Sequence, residues 1–66
     1  MIKYVCVWDT SYSDGTRRIE RVGELAGWRK PTDSCIRVGG NIFLQRWFTS
    51  DEEASEYIDK HYNERH

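Results

Sequence analysis

The chain has 66 residues, 38% of them hydrophobic and 32% charged, with ten basic and eleven acidic side chains for a net charge of -1. That length allows one small core and excludes two, so residues 1–66 are read as a single globular domain of marginal stability. No apolar run approaches 18 residues, which excludes a membrane-spanning helix, and the start MIKYVCVWDTS is too short in apolar residues for a signal peptide; a cytoplasmic protein is expected. The near-neutral balance conceals a gradient. Residues 1–30 carry six basic against four acidic side chains, whereas residues 50–66 carry six acidic against two basic. Such a dipole steers partners without identifying one.

Ile2 to Trp8, IKYVCVW, is β-branched and aromatic. Ile2, Tyr4, Cys6 and Trp8 lie on one face and Lys3, Val5 and Val7 on the other, and two apolar faces predict an interior strand. TSYSDG, residues 10–15, is turn chemistry throughout.

Over residues 16–27, Ile19, Val22, Leu25 and Ala26 recur at helical spacing, with Arg17, Arg18, Glu20, Arg21 and Glu24 outside that arc. A short helix ending at Gly27 is the first reading. Gly23 weakens it, and Asp14-Gly15 is also a hairpin signal, so a second strand over residues 16–22 is the alternative. Trp28 to Ser34 is a loop set by Pro31.

Cys35–Val38 and Ile42–Phe48 flank Gly39-Gly40-Asn41 and predict a β-hairpin. Ile42, Leu44, Arg46 and Phe48 share one face; Phe43, Gln45 and Trp47 share the other. One face is core, and the other exposes aromatic surface unless a helix over 16–27 covers it. Ser50 and Glu53 form a capping box at the start of a last helix, in which Ala54, Tyr57, Ile58, His61 and Tyr62 make the apolar stripe. The fold class is therefore α+β: a three- or four-stranded, mostly antiparallel sheet packed by a C-terminal amphipathic helix, in the order βαββα or, alternatively, ββββα.

Chemistry is sparse. Cys6 and Cys35 lack paired metal-ligand spacing and read as reduced, buried thiols, with a disulfide between them as the alternative if their strands are neighbours, and a site combining them with His61 and His66 has none of the spacings that structural zinc uses. No nucleophile, phosphate-loop or metalloprotease pattern occurs. No catalytic residue, metal or cofactor is assigned, and the chain is read as non-enzymatic.

Two binding readings follow from the remaining residues. Three tryptophans and four tyrosines exceed what one small core readily hides, and Trp, Tyr and Arg dominate protein-binding hot spots. The first reading is a protein-binding regulator or inhibitor that contacts its partner through Trp28, Arg29 and Trp47, together with either the basic residues Arg17, Arg18 and Arg21 or the acidic helix face with Glu53 and Glu56. The second is a nucleic-acid binder whose patch of Arg17, Arg18, Arg21, Trp28, Arg29 and Lys30 stacks bases and contacts phosphates; the sequence pI of about 6.1 opposes it. A homodimer explains exposed aromatics equally simply. In size and in its lack of catalytic motifs, the chain resembles in type the small bacteriophage and mobile-element proteins that occlude a host machine, such as anti-CRISPR proteins, anti-restriction proteins and RNA polymerase inhibitors. That resemblance covers no alignable residues and transfers no site.

Overall fold

A computed structural model describes residues 1–63. Four strands and one helix follow in chain order: β1 (Ile2–Ser11), β2 (Arg17–Gly27), β3 (Ser34–Val38), β4 (Asn41–Phe48) and α1 (Asp51–Asn63). The fold is α+β in the order ββββα, with one antiparallel sheet ordered β2-β1-β4-β3. β1 is interior, as its two apolar faces require. Glu64, Arg65 and His66, and with them the zinc reading that used His66, lie outside the described residues, as does the side chain of Tyr62.

The helix expected over residues 16–27 is instead β2, and a bulge explains the mistaken periodicity. Cys6 pairs with Gly23 and Val7 with Arg21, so Val22 is an extra residue that breaks the two-residue alternation. Across it, Ile19 faces one side of the sheet and Leu25 the other, and the phase slip imitates a 3.6-residue stripe. Pairing along all of β1 then outweighs a weak helical preference already interrupted by Gly23. The connecting turn closes with Gly15 N–H donating to Tyr12 O at 3.0 Å, and Gly15 takes φ of 89°, which is open to glycine at little cost. The Asp14 carboxylate accepts from Thr16 N at 2.9 Å and from its hydroxyl at 2.6 Å, fixing the turn by local bonds.

The glycine hairpin forms as expected, with Val38 paired to Asn41 and both Gly39 and Gly40 at positive φ. A Cβ at Gly40 would stand 3.2 Å from the Ser13 side chain, so this turn abuts the first one. Asn41 Oδ1 ties the two together by accepting from Ser13 N at 2.9 Å.

α1 packs on one face only, against β1, β2 and β4. Its N-cap is Ser50, whose hydroxyl accepts from Glu53 N at 3.1 Å; the Glu53 carboxylate accepts from the Thr49 hydroxyl at 3.1 Å, so the capping box closes through Thr49 on that side. Val5, Val7 and Ala54 are the buried centre of this layer, flanked by Ile19, Phe48, Tyr57 and Ile58. The Ile58→Ala variant removes one flank and is expected to cost about 2 kcal/mol, less than a fully buried truncation because Ile58 is half-buried. A thermal melt unchanged from the parent would mean that the helix is not docked on this face.

Candidate functional site: the sheet face opposite the helix

Alternation along each strand divides the side chains into two chemically distinct faces. On the helix side, β1 presents Lys3, Val5, Val7 and Asp9; register places Phe48, Arg46 and Leu44 beside them on β4, and Glu24, Arg21 and Ile19 on β2. On the far side, β1 presents Tyr4, Cys6, Trp8 and Thr10, with Trp47, Gln45 and Phe43 on β4, Leu25 on β2 and Ile36 on β3.

The charges segregate with the helix. Asp9, only 4% exposed, receives two bonds from the Arg17 guanidinium, at 2.8 and 2.5 Å, and one from the Tyr57 hydroxyl at 2.7 Å. Burial by itself would raise the Asp9 carboxyl. The bonds from Arg17 and Tyr57 and the nearby charges of Arg17 and His61 outweigh it and hold the group below the ordinary aspartate range. Tyr57 is displaced upward, first by burial and then by its bond to the Asp9 carboxylate. Its ring stacks at 4.2 Å on His61 and at 5.2 Å on Phe48, with the Arg46 guanidinium 5.2 Å from its centroid. The acid, the tyrosine and the imidazole thus join helix to sheet.

At the other end of α1, Asp51 accepts from Lys3 at 2.8 Å and from Arg21 at 2.9 Å, and Arg21 also reaches Glu24 at 3.1 Å. The bond to Asp51 raises the Lys3 ammonium, and the bond from Lys3 lowers the Asp51 carboxyl. Arg46 and Asp33 pair at 3.6 Å on the same side. On the far face, among the described residues, only Arg18 and Glu20 form an ion pair, at 3.1 Å on the outer strand β2.

The far face is apolar at its centre. Among the described residues no helix or strand covers it, yet Tyr4 and Cys6 are 3% and 5% exposed, packed among their own neighbours. Trp8, Phe43 and Trp47 are half-buried, while Leu25 and Ile36 are 51% and 50% exposed. A short polar chain crosses the face: Ser34 donates to Gln45 Oε1 at 3.0 Å, and Gln45 Nε2 lies 3.5 Å from Cys6 Sγ.

Among the residues expected at a contact, Trp47 lies on this face, and Trp28, 77% exposed, lies in the loop between β2 and β3 with the exposed Arg29. The basic group does not assemble. Strand alternation sends Arg17 and Arg21 to the helix side, where carboxylates engage them, and leaves Arg18 on the opposite face beside Glu20. A helix would have kept the three together. Glu53 belongs to the helix cap, and Glu56 is exposed on α1, the element that covers the other face of the sheet. Sequence reasoning missed Asp9 as an anchor, although a carboxylate inside a strand otherwise apolar from Tyr4 to Trp8 was a readable sign of a buried partner.

The thiols also separate. Cys6 is buried on the far face, whereas Cys35 pairs with Leu44 in register, faces the helix side and is exposed, which corrects the expectation that both are buried. Opposite faces preclude a bond between them, so reductant is expected to leave the melting temperature unchanged, and a clear fall would contradict this arrangement. Among the described residues no group of three His, Cys, Asp or Glu side chains stands close enough to hold a metal ion, and no helix is long and apolar enough to cross a membrane. No protein-family model, curated protein or solved structure matches the chain.

Proposed function

We propose that this protein is a small non-enzymatic regulator or inhibitor that works by binding another protein through the sheet face opposite the helix, occluding part of a larger machine in the manner of small bacteriophage and mobile-element proteins. One observation carries the reading: among the described residues, the face without a covering element holds Trp8, Phe43, Trp47, Leu25 and Ile36, while the ion pairs lie almost entirely on the other side. Aromatic anchors in a charge-poor centre with a polar margin are the anatomy of a protein-binding patch. Trp28 and Arg29, exposed in the loop that follows β2, are the further contact residues of this proposal. Free thiols at Cys6 and Cys35 suit action in a reducing cytoplasm.

The nucleic-acid alternative loses its main support with the dispersal of Arg17, Arg18 and Arg21, because phosphate binding needs several uncommitted cations on one surface. The tagged protein is therefore expected to retain one stoichiometric protein from a cell lysate after nuclease treatment. The Trp28→Ala variant and a Leu25→Glu/Ile36→Glu variant should lose it while keeping the parent circular dichroism, and Glu56→Lys should keep it. Recovery of nucleic acid alone, with steep salt dependence, would favour the alternative; recovery of nothing would contradict both.

A further inference from the structure

The proposed contact face has dimensions and chemistry that fit one occupant in particular. We infer that, in the absence of a partner, a second copy of this chain covers it, forming a face-to-face sandwich of two four-stranded sheets with the helices on the outside. The inference rests on the reading of that face as a contact surface and names what occupies it first.

Three observations lead there. The molecule is flat: its extents are 40 × 26 × 13 Å and its radius of gyration 12.6 Å, against about 11 Å for a compact chain of this length. The two longer dimensions outline about 1,000 Å², and a standard interface buries about 800 Å² on each partner. The flat outline of the molecule is therefore of the size a stable dimer needs.

Charge selects the occupant. A nucleic acid or an acidic protein would require cations on the face, and a basic protein would require carboxylates. Arg18 and Glu20 supply one of each, already paired to each other at the outer strand. What complements a charge-poor centre of Tyr4, Trp8, Phe43 and Trp47 is another charge-poor aromatic surface, and a twofold-related copy supplies an identical one. Its polar chain of Ser34 and Gln45 is hydrogen-bonded within the chain, Ser34 to Gln45 and Gln45 to Cys6.

The third observation is the size of the core. Among the described residues, Val5, Val7 and Ala54 form the buried cluster under the helix, and no disulfide or metal group reinforces it. Small domains with so little core gain stability from disulfides, metals or oligomerisation, and of these the sheet face offers the last. Two sheets stacked about 10 Å apart would place a second core between them, built from the aromatic residues that one copy leaves half-buried.

Sedimentation equilibrium of the purified protein alone tests this. The expected mass is twice the 7.9 kDa of the chain. Leu25→Glu/Ile36→Glu, which brings four carboxylates into the closed interface at positions half exposed in one copy, should return the mass to that of one chain, and Glu56→Lys on the outer helix should remain dimeric. Tryptophan emission of the parent protein, in which Trp8 and Trp47 lie on the face, should shift to longer wavelength as the dimer is diluted to single chains and does not depend on the double variant folding. A parent of single-chain mass at every soluble concentration would overturn the inference, as would a dimer that persists in the folded double variant, or a dilution series over which the mass falls to that of one chain with no emission change. The outcome is separable from partner capture: a monomer that still retains one protein through this face keeps the functional reading and loses the dimer, and a dimer that retains none does the reverse.

Discussion

Replacing Asp9 by Ala is expected to destabilise the fold by about 3 kcal/mol, a large fraction of what a domain of this size possesses. The carboxylate is 4% exposed and accepts from Arg17 and Tyr57, so its removal takes away the acceptor that the guanidinium and the phenol share and the negative charge that balances the guanidinium. The cost exceeds the value of the pair itself because the charge left behind on Arg17 is about three-quarters shielded from solvent. The same group sets part of the pH dependence. Against the effect of burial, the bonds from Arg17 and Tyr57 hold its carboxyl below the ordinary aspartate range in the folded protein, so in that range the folded state binds fewer protons than the unfolded state. The stabilisation is complete above the unfolded pKa and is lost as pH falls through the folded one. Asp9→Asn should therefore be less stable at neutral pH and lose less on acidification below about pH 4. Denaturant titrations at neutral and acidic pH measure both effects, and an Asp9→Asn curve parallel to the parent at every pH would refute the role given to this carboxylate.

Phe48→Ala should be of comparable size, about 3 kcal/mol, at the low end for an aromatic truncation because the residue is half-buried. Phe48 closes β4, pairs in register with Val5 and meets the Tyr57 ring at 5.2 Å, so it joins the strand, the centre of the core and the helix. Losing the ring opens a cavity beside Val5 and also loosens Tyr57, whose hydroxyl must stay within reach of Asp9. Coupling between the two sites is expected: a Phe48→Ala/Asp9→Ala double variant should lose less than the sum of the single losses. Strict additivity in equilibrium unfolding would mean that the aromatic contact and the buried carboxylate act independently.

Much of this architecture was legible in the residues. Two apolar faces on Ile2 to Trp8 identify an interior strand, paired glycines identify the hairpin, and Ser50 with Glu53 identifies the start of the helix. These signals are local, and local bonds realise them. Residues 16–27 were different because one extra residue, Val22, resets the alternation, and a single sequence does not distinguish a bulged strand from a short amphipathic helix. That one ambiguity decided the site. With a helix there, the aromatic face would have been a candidate for cover and Arg17, Arg18 and Arg21 a candidate patch; with a strand, the face is open and the arginines are divided between its two sides. Asp9 was only half readable: a carboxylate at the end of an apolar run signals that a partner is needed, but its partners are eight and 48 residues away and the local sequence does not identify them.

The claim on which the account turns is that association, with a second copy or with another protein, uses the sheet face and spares the helix side. Hydroxyl-radical footprinting of the associated protein against the folded Leu25→Glu/Ile36→Glu variant addresses it residue by residue. The account predicts that Trp8, Phe43 and Trp47 are protected on association while Tyr57 and Ile58 label equally in both; protection confined to Tyr57 and Ile58, or no difference at the three sheet-face residues, would contradict it.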